Sequence, residues 1–568
     1  MAAKLTTRSE AKKLRPVTDA VHSEGGKILM QILHAGRYSY SPIAVAPSSI
    51  ASPIWMFDPA RPIGMPSWWV KKTINDFALC CSLAQEAGFD GVEIMGSEGY
   101  LINQFIVSHT NKRNDIWGGS FENRCRFPLE VIKACRKAGG PDFMLMYRLS
   151  MLDLIPNGSA RDEVYKLAEE VCDAGVDIIN TGIGWHEARI PTIATSVPRA
   201  SFTWVTKKCR EHLHSKGYKV PLVTTNRINT PSVAEEILKD GDADLISMAR
   251  PLLADPEFVA KTRSGNASKI NICIGCNQAC LDHTFSMKIA SCLVNPVACH
   301  ETKLTPVASA APKNIAVVGA GPAGCAFALC AAECGHNVTL FERNKIGGQF
   351  NVAKKIPGKE EFQSSIDYWQ LSLTTNPRIK SYLDVILGKK VPGRRVAVIG
   401  AGGIGFDVSV FLTHSTPPAD RHEAFKEFAK EWGVDTTLTS RGFLTKAEPS
   451  ASKHDVFLFQ RKKGKVGAKL GATTGWIHRL ALRHHDVKQF AGVEYKSFNN
   501  NEFVYVKDGV TQQLQVDSIV LCHGQKSIKD FVVKRNEGTV HYIGGCKDPS
   551  ELDAKKAILD GHTLALKL

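Results

Sequence analysis

Four cysteines between residues 273 and 292 have the spacing of ligands to a soft metal centre. Cys273, Cys276, Cys280 and Cys292 form the pattern C-x2-C-x3-C-x11-C, and four thiolates in this order can bind iron or zinc. Structural zinc usually takes two separated C-x-x-C pairs, whereas three grouped thiols with a distant fourth are typical of a cubane cluster. The sequence favours a 4Fe-4S cluster and leaves zinc as the alternative.

The segment that begins at Gly319 has the pattern of a dinucleotide-binding turn, G-x-G-x-x-G, after an apolar run. Gly319 permits a tight turn, Gly321 lets a pyrophosphate approach the backbone, and Gly324 lets helix and strand pack closely. Glu342 ends the next predicted strand, where a carboxylate accepts a hydrogen bond from a ribose hydroxyl and disfavours a 2′-phosphate. This unit is expected to bind FAD or NAD rather than NADP.

A second turn of the same pattern follows 81 residues later. Its glycines are Gly400, Gly402 and Gly405. No acidic residue stands at the usual distance, and the next strand-like run, 455–460, ends in Arg461 and Lys462. Cationic groups at this strand end suit a 2′-phosphate. We therefore expect NADPH here, and the alternative is a solvated cationic face.

Composition narrows the function classes. The chain has 568 residues and a formal charge of +15, a balance that suits phosphate-rich partners. The basic residues are scattered and no aromatic RNA-binding motif accompanies them, so nucleic-acid binding is not favoured. Uncharged apolar runs fall short of the roughly 20 residues that span a bilayer, so no membrane span is expected.

The first residues, MAAKLTTRSEAKKLRP, contain no apolar core of a secretory signal. Sixteen cysteines without such a signal indicate a reducing compartment. We expect a cytoplasmic or mitochondrial-matrix protein rather than a secreted one.

Six apolar, β-branched runs precede these motifs, each followed by a helical stretch, and such runs indicate a buried parallel sheet. The runs are 26–34, 90–96, 143–150, 176–182, 221–228 and 243–250. A TIM-type (β/α)8 barrel and a doubly wound sheet are the two folds that would contain such a series of strands and helices. We expect four regions, namely a barrel (1–260), a cluster segment with linker (261–312), an FAD-binding domain (313–390 and 506–568) and an NADPH-binding domain (391–505).

Further motifs extend over nearly the whole chain. They are QILHAGRYSY (31–40), GYLINQF (99–105), WGGSFENR (117–124), YRLSMLDL (147–154), INTGIGWHEARIPTIAT (179–195), TTNRI (224–228), SMARPLLADP (247–256) and CIGCNQACLD (273–282). Together they resemble the bacterial-type, NADPH-dependent 2,4-dienoyl-CoA reductases, which are old yellow enzyme-like flavoproteins. The resemblance implies an FMN barrel, a 4Fe-4S cluster and two Rossmann-like domains for FAD and NADPH. The segment MGSEGY (95–100) lacks the histidine pair of the wider old yellow enzyme group, which favours this branch.

The resemblance also implies roles for individual residues. Tyr100 would donate a proton to the substrate α-carbon, and His186 would bind the thioester carbonyl. Gln31 and Arg148 would contact the flavin pyrimidine, and Gln349 would contact FAD.

Arg227 and Arg250 end the last two predicted strands, the usual phosphate position in such barrels. Electrons would then pass from NADPH to FAD, the cluster, FMN and an acyl-CoA substrate.

Two departures from the family pattern bear on activity. Met1 would lie inside the second βα unit, so the first two barrel strands are expected to be absent. The segment Leu371–Lys380 is shorter than in the family, which puts FAD binding in question. The alternatives are an amine dehydrogenase, a general ene-reductase of the same architecture, or an inactive homologue.

Overall fold

In the computed structural model, residues 4–41, 43–54, 61–342, 345–372, 386, 391–499, 501–522, 527, 540–549 and 552–568 are described. The first part of the chain alternates strands and helices. Its strands are β1 (Leu29–Ile32), β2 (Val45–Ala46), β3 (Ile63–Gly64), β4 (Gly91–Gly96), β5 (Met144–Leu152), β6 (Ile178–Ile183), β7 (Leu222–Thr224) and β8 (Leu245–Ile246). Its helices are α1 (Arg8–Ser23), α2 (Ser67–Glu86), α3 (Leu101–Ile106), α4 (Phe121–Gly139), α5 (Arg161–Asp173), α6 (Thr203–Ser215), α7 (Pro231–Lys239), α8 (Arg250–Ala254) and α9 (Phe258–Arg263).

The six predicted runs form one parallel sheet in the order β1-β4-β5-β6-β7-β8. Each strand pairs with the next βα strand along the chain, which is the order of a TIM-type barrel and not of a doubly wound sheet. Central strands are buried because helices cover the outer face and side chains fill the inner one. The predicted fold class is confirmed, with six strands of this sheet among the described residues.

The N-terminal segment belongs to this barrel. Thr7 and Glu10 form a capping box at the start of α1, which satisfies backbone N–H groups that the helix leaves free. The buried Thr18 hydroxyl donates to the carbonyl of Ala87 at 2.8 Å and ties α1 to the end of α2. The segment is therefore a packed barrel helix.

The cysteine segment and the first fingerprint follow the barrel. The elements are α10 (Leu281–Thr284), α11 (Glu301–Leu304), β9 (Asn314–Val318), α12 (Pro322–Glu333), β10 (Asn337–Phe341), α13 (Phe350–Ala353) and α14 (Phe362–Ser372). Strands β9 and β10 pair in parallel and form a two-stranded sheet. Most of the shortened segment Leu371–Lys380 lies outside the described residues.

The second fingerprint lies in a larger unit. Its elements are β11 (Arg395–Ile399), α15 (Gly403–Thr413), α16 (Arg421–Trp432), β12 (Asp455–Gln460), α17 (Gly475–His484), β13 (Lys488–Ala491), β14 (Val493–Asn499), β15 (Glu502–Lys507), β16 (Val510–Gln515) and β17 (Ser518–Leu521), and the chain ends with α18 (Ala554–Ala565). The parallel order β13-β12-β11-β17 matches the Rossmann order 3-2-1-4. An antiparallel β14-β15-β16 sheet packs against it. Hydrogen bonding thus groups residues up to Leu521 with this unit, whereas the sequence-based division ends it at 505.

Helix α16 departs from a simple Rossmann unit because it packs against the barrel. Phe428 lies in the same buried cluster as the barrel core, and its ring is edge-on to Phe202 at a centroid distance of 6.3 Å. No helix formed by the described residues combines the length and apolar character that crossing a bilayer requires.

Candidate active site

Tyr100 and His186 meet at the carboxyl ends of barrel strands β4 and β6. The Tyr100 hydroxyl lies 2.7 Å from Nε2 of His186 in a hydrogen bond. Tyr38 stands edge-on to both rings, with centroid distances of 6.1 Å to Tyr100 and 5.5 Å to His186. The structure therefore brings together the two residues that the sequence analysis placed at the substrate.

A glycine turn and a buried ion pair hold this arrangement in place. Gly99 has a φ of +83°, and a Cβ atom there would lie 2.6 Å from the indole of Trp185. Only glycine fits, because the turn before Tyr100 passes directly against that ring. Arg37 and Glu187 form a fully buried salt bridge that joins the loop after β1 to the loop carrying His186.

Burial sets the protonation of both groups. It raises the pKa of Tyr100, and the nearby Glu98 carboxylate raises it further, so the phenol stays protonated across the neutral range. Burial lowers the pKa of His186, which keeps the imidazole neutral near pH 7. A neutral phenol beside a neutral imidazole can give up a proton to a developing carbanion.

A cavity of about 380 Å³ opens at the carboxyl ends of the barrel strands. Its lining includes Arg148, His186, Arg227, Arg250 and Trp476. The volume lies within the range of about 300–1,000 Å³ for small-molecule sites, and the position is where barrel enzymes bind their ligands. Cationic side chains on a mostly apolar wall fit a flavin mononucleotide, which carries a phosphate and an aromatic ring system.

The two residues predicted at the flavin pyrimidine are held by carboxylates. Arg148 donates from Nε and Nη2 to one oxygen of Glu98, at 3.0 and 2.8 Å. Gln31 donates to Glu93 at 2.6 Å, and Asn180 donates to the other Glu93 oxygen at 2.6 Å. These carboxylates orient both donors, of which Arg148 is mostly buried and Gln31 is exposed.

Arg227 and Arg250 take different places. Arg227 is buried and donates to the carbonyl of Val197 at 2.8 Å and to Glu361 of the first dinucleotide unit. Its charge is therefore already neutralised, which differs from the predicted phosphate role. In the described part of the chain, the partners of Arg250 are neutral, namely Asn277 at 2.6 Å and the carbonyl of Ile193 at 2.8 Å, and its charge is available for an anion.

The four cysteines line a second, small cavity of about 10 Å³. All four are free thiols. Burial raises the pKa values of Cys276, Cys280 and Cys292, and the neighbouring thiols add to this effect. A cationic metal centre would bind these thiols as thiolates and so stabilise their deprotonated form in the buried site. The residues fit a metal cluster.

The spacing of the thiols separates the two candidate metals. In tetrahedral zinc, Zn–S bonds of 2.3 Å place the sulfur atoms about 3.8 Å apart. Among the described residues, no set of three ligand atoms within 4.8 Å of one another includes any of these cysteines. The cysteines are therefore farther apart than one zinc ion requires.

The cysteine cavity lies between the flavin cavity and the first fingerprint. Arg250, Cys273 and Asn277 line both the cysteine cavity and the flavin cavity. On the other side, Ile274 packs in one apolar cluster with Ala320 of the fingerprint turn. A redox centre among these cysteines would therefore adjoin both nucleotide sites.

The first fingerprint has the geometry that a pyrophosphate needs. Gly319 has a φ of +102°, and a Cβ atom at Gly324 would overlap the Gly319 carbonyl oxygen. A Cβ atom at Gly321 would meet open space, the side from which a ligand approaches. Glu342 accepts from the amide of Ala320 at 2.6 Å, at the end of β10. Gln349 is exposed just before α13.

The second fingerprint repeats this geometry. Gly400 has a φ of +112°, a Cβ atom at Gly405 would overlap the Gly400 carbonyl oxygen, and Gly402 faces open space. The Gly400 amide donates to the carbonyl of Phe459 at 2.9 Å, so the turn adjoins the end of β12. Arg461 and Lys462 follow directly and are exposed. Cationic side chains thus stand beside the turn, and their binding of a 2′-phosphate stays a prediction.

Sequence reasoning missed several polar residues of the site. Glu93 interrupts an otherwise apolar strand run, and a charge in such a run is a signal of an interior polar partner. Glu361 gave no such signal, because its contacts with Arg227, Arg199 and Asn229 join segments more than 130 residues apart.

Comparisons with known proteins agree with this architecture. Residues 1–269 match the NADH:flavin oxidoreductase / NADH oxidase family, and residues 313–391 match the pyridine nucleotide-disulphide oxidoreductases. The metal reductase of Desulforamulus reducens is 32% identical, over 93% of this chain and 84% of the relative. The cinnamate reductase of Clostridium sporogenes is 28% identical, over 70% of this chain and 68% of the relative.

A solved structure of a 2-naphthoyl-CoA reductase in complex with 2-naphthoyl-CoA shares the fold. Its TM-score is 0.85 at 24% identity, over 99% of this chain and 88% of the other. The family matches of residues 1–269 and 313–391, together with the 32% identical relative, make this chain a flavin-dependent NAD(P)H oxidoreductase. The chain belongs to the NADH:flavin oxidoreductase / NADH oxidase family.

Proposed function

We propose that this protein uses NADPH to reduce a conjugated double bond in 2,4-dienoyl-CoA thioesters, with FMN, FAD and a 4Fe-4S cluster as cofactors. The observation that carries the proposal is the wall that the cysteine cavity shares with the flavin cavity. A one-electron centre at that position has a role only if electrons travel between two nucleotide sites. The bound cofactors would supply that electron transfer, from NADPH to the alkene.

Tyr100 and His186 determine where the proton goes. A dienoyl thioester that accepts a hydride at its δ-carbon becomes an enolate, with charge on the carbonyl oxygen and on the α-carbon. The Tyr100 phenol, 2.7 Å from His186, protonates the α-carbon and completes the enoyl product. His186 donates a hydrogen bond to the thioester oxygen and stabilises its developing charge.

The remaining residues position the cofactors and favour NADPH over NADH. Arg250 would bind the flavin phosphate, and Cys273, Cys276, Cys280 and Cys292 would hold the cluster. Arg461 and Lys462, exposed beside the second turn, would bind the 2′-phosphate. The net charge of +15 favours approach of a CoA thioester and its phosphates.

Anaerobically purified protein tests the proposal. We expect iron, acid-labile sulfide, FMN and FAD in the ratio 4:4:1:1, and NADPH oxidation that depends on 2,4-hexadienoyl-CoA. Faster turnover with trimethylamine would indicate an amine dehydrogenase, and faster turnover with cyclohexenone a general ene-reductase. Protein without iron or flavin after reconstitution would be an inactive homologue. Each of these results would contradict the proposal.

Tyr100→Phe separates proton donation from binding. We expect kcat to fall by about 10²–10⁴-fold while flavin content and KM stay close to the wild-type values. The matched control is Tyr40→Phe, because Tyr40 lies nearby but is about half exposed, at 47%, and the activity of this variant should match the wild type. Because burial raises the Tyr100 pKa, wild-type kcat should not fall between pH 7 and pH 9 through loss of this proton. A fall controlled by Tyr100 in that range would contradict the assignment.

A further inference from the structure

Three helices of the second dinucleotide unit bring two histidines and a glutamate together, away from the flavin cavity. His414 follows α15, Glu431 lies on α16, and His485 follows α17. Nε2 of His414 lies 3.5 Å, and Nε2 of His485 3.8 Å, from the same carboxylate oxygen of Glu431. One potential ligand atom from each residue lies within 4.8 Å of the other two.

The hydrogen bonds around His414 fix which ring nitrogen carries its proton. The Thr413 hydroxyl donates to the carbonyl of Ser409 at 2.8 Å, and its oxygen lies 2.8 Å from Nδ1 of His414. Because this hydroxyl proton is already used, the oxygen must accept from Nδ1–H. In the neutral ring, Nε2 then presents its lone pair toward the Glu431 carboxylate. Metal-binding histidines are commonly oriented in this way by a bond to the other nitrogen.

His485 supplies an independent observation. Its side chain is fully buried; among the described residues neither ring nitrogen makes a hydrogen bond, and Nε2 has the longer contact with Glu431 at 3.8 Å. A buried polar group without a partner is costly. The His414 and His485 rings are 3.8 Å apart between centroids, so charging both imidazoles would add repulsion. A single cation between the three groups would satisfy both imidazoles and the carboxylate.

We propose that His414, Glu431 and His485 bind one divalent transition-metal ion, with zinc as the best match, and that this ion fixes the second dinucleotide unit to the barrel. Imidazole and carboxylate ligands at 2.0–2.2 Å from zinc lie about 3.3 Å apart in a tetrahedron. The observed 3.5 and 3.8 Å require only small shifts. Two nitrogens and one carboxylate leave a fourth position for water.

The three helices explain what the ion would hold together. Helix α15 begins at the second fingerprint, and α16 packs on the barrel through Phe428. Helix α17 carries Trp476 and Ile477 in its first turn, where they line the flavin cavity, and it ends beside His485. An ion at the three helix ends would fix the distance between the NADPH turn and the flavin cavity.

Metal analysis of the full-length protein tests the site. We expect the wild type to contain one more equivalent of zinc than His485→Gln or His414→Gln. The matched control is His422→Gln, because His422 belongs to an exposed group with Glu236 and Asp240. This variant should keep the wild-type zinc content. Near-UV circular dichroism identifies a variant that fails to fold, in which case Glu431→Gln replaces it.

Cobalt distinguishes this site from the cysteines. The spectrum of Co²⁺-loaded wild type minus that of Co²⁺-loaded His485→Gln should show d–d bands without thiolate charge-transfer bands. Added Zn²⁺ should raise the unfolding midpoint of the wild type by several degrees and leave that of His485→Gln unchanged. Equal zinc content in the two proteins, loss of zinc in His422→Gln instead, or thiolate bands in the difference spectrum would overturn the proposal.

Discussion

The turns at Gly319 and Gly400 have nearly the same backbone conformation, with φ values of +102° and +112°, but the strands beside them differ in burial. In the first unit, Val318 and Phe341 are 55% and 54% exposed. At matching positions of the second unit, Ile399 and Phe459 are 5% and 0% exposed. The two units share a binding turn and differ in the sheet that supports it.

The difference shows that the conformation of the turn and the burial of the sheet beside it depend on different contacts. The turn conformation follows from three local glycines, because the tightest contact in each turn joins the third glycine to the carbonyl oxygen of the first, five residues earlier. The support depends on pairing between distant segments, because β11 has β12 on one side and β17 on the other. Among the described residues, β9 pairs with β10 alone. We therefore expect the second unit to be the more stable of the two.

Substitution of matched leucines should give the largest contrast. Leu458 is fully buried opposite Val398, and Leu340 is only partly buried opposite Val317. Leu458→Ala should lower the free energy of unfolding by about 2–5 kcal/mol. Leu340→Ala should lower it by about 1 kcal/mol. Urea unfolding measures the loss of free energy in both variants, and hydrogen exchange assigns each loss to its unit. Equal losses in the two variants would contradict the comparison.

Adding a methyl group at the third glycine of the second turn should have the next largest effect on stability. A Cβ atom at Gly405 would overlap the carbonyl oxygen of Gly400, whereas one at Gly403 would meet open space. Gly405→Ala should cost about 1–3 kcal/mol of stability, and Gly403→Ala serves as its control. Gly324→Ala should cost less than Gly405→Ala, because the two-stranded sheet of the first unit can shift more easily. A larger loss in Gly324→Ala would reverse our ranking of the two units.

Substitutions at the strand ends of the two units, at Arg461 and at Glu342, should differ in their effect on the preference for NADPH over NADH. Arg461→Gln should raise KM for NADPH by about tenfold, or about 1.4 kcal/mol, through loss of one charge-assisted phosphate contact. Its KM for NADH should not change. Glu342→Gln, the corresponding change in the first unit, should leave the NADPH:NADH preference as in the wild type. Steady-state kinetics with both nucleotides checks the pair, and an equal effect on NADH would refute the assignment of Arg461.

The middle glycines should show the smallest change in stability. Cβ atoms at Gly321 and Gly402 would both meet open space, so Gly321→Ala and Gly402→Ala should each change stability by less than about 0.5 kcal/mol. Each methyl group would nevertheless occupy the approach path of a pyrophosphate. Flavin content should fall only in Gly321→Ala, and NADPH affinity only in Gly402→Ala. Loss of both ligands in either variant would show that the two turns are not independent sites.

The sequence predicted the parts of the fold that depend on local patterns. The six barrel strands, both glycine turns and the cationic end of β12 lie where apolar runs and G-x-G-x-x-G spacing indicated. The pairing of Tyr100 with His186, separated by 86 residues, followed from the family resemblance. Neither residue type nor spacing alone would have joined them.

The parts that sequence could not provide depend on long-range contacts. Arg227 was expected at a phosphate, but Glu361, 134 residues away, takes its charge. Hydrogen bonding extends the second unit beyond the predicted end at 505, because each residue of β17 pairs with a residue of β11 that lies 122 positions earlier in the chain. The His414, Glu431 and His485 group has no recognisable spacing, since three separate helices carry its members.

The contacts of Glu361 have a consequence for how the protein moves during turnover. This carboxylate, on the first dinucleotide unit, binds Arg227, Arg199 and Asn229 of the barrel. Burial opposes its ionisation, yet Arg227 and Arg199 hold its pKa below the usual value, so the carboxylate remains charged. Moving that unit away from the barrel would leave Glu361 on one side and the two arginines on the other without their charged partners. We therefore expect reduction to proceed without separation of this unit from the barrel, at a rate that is insensitive to solvent viscosity.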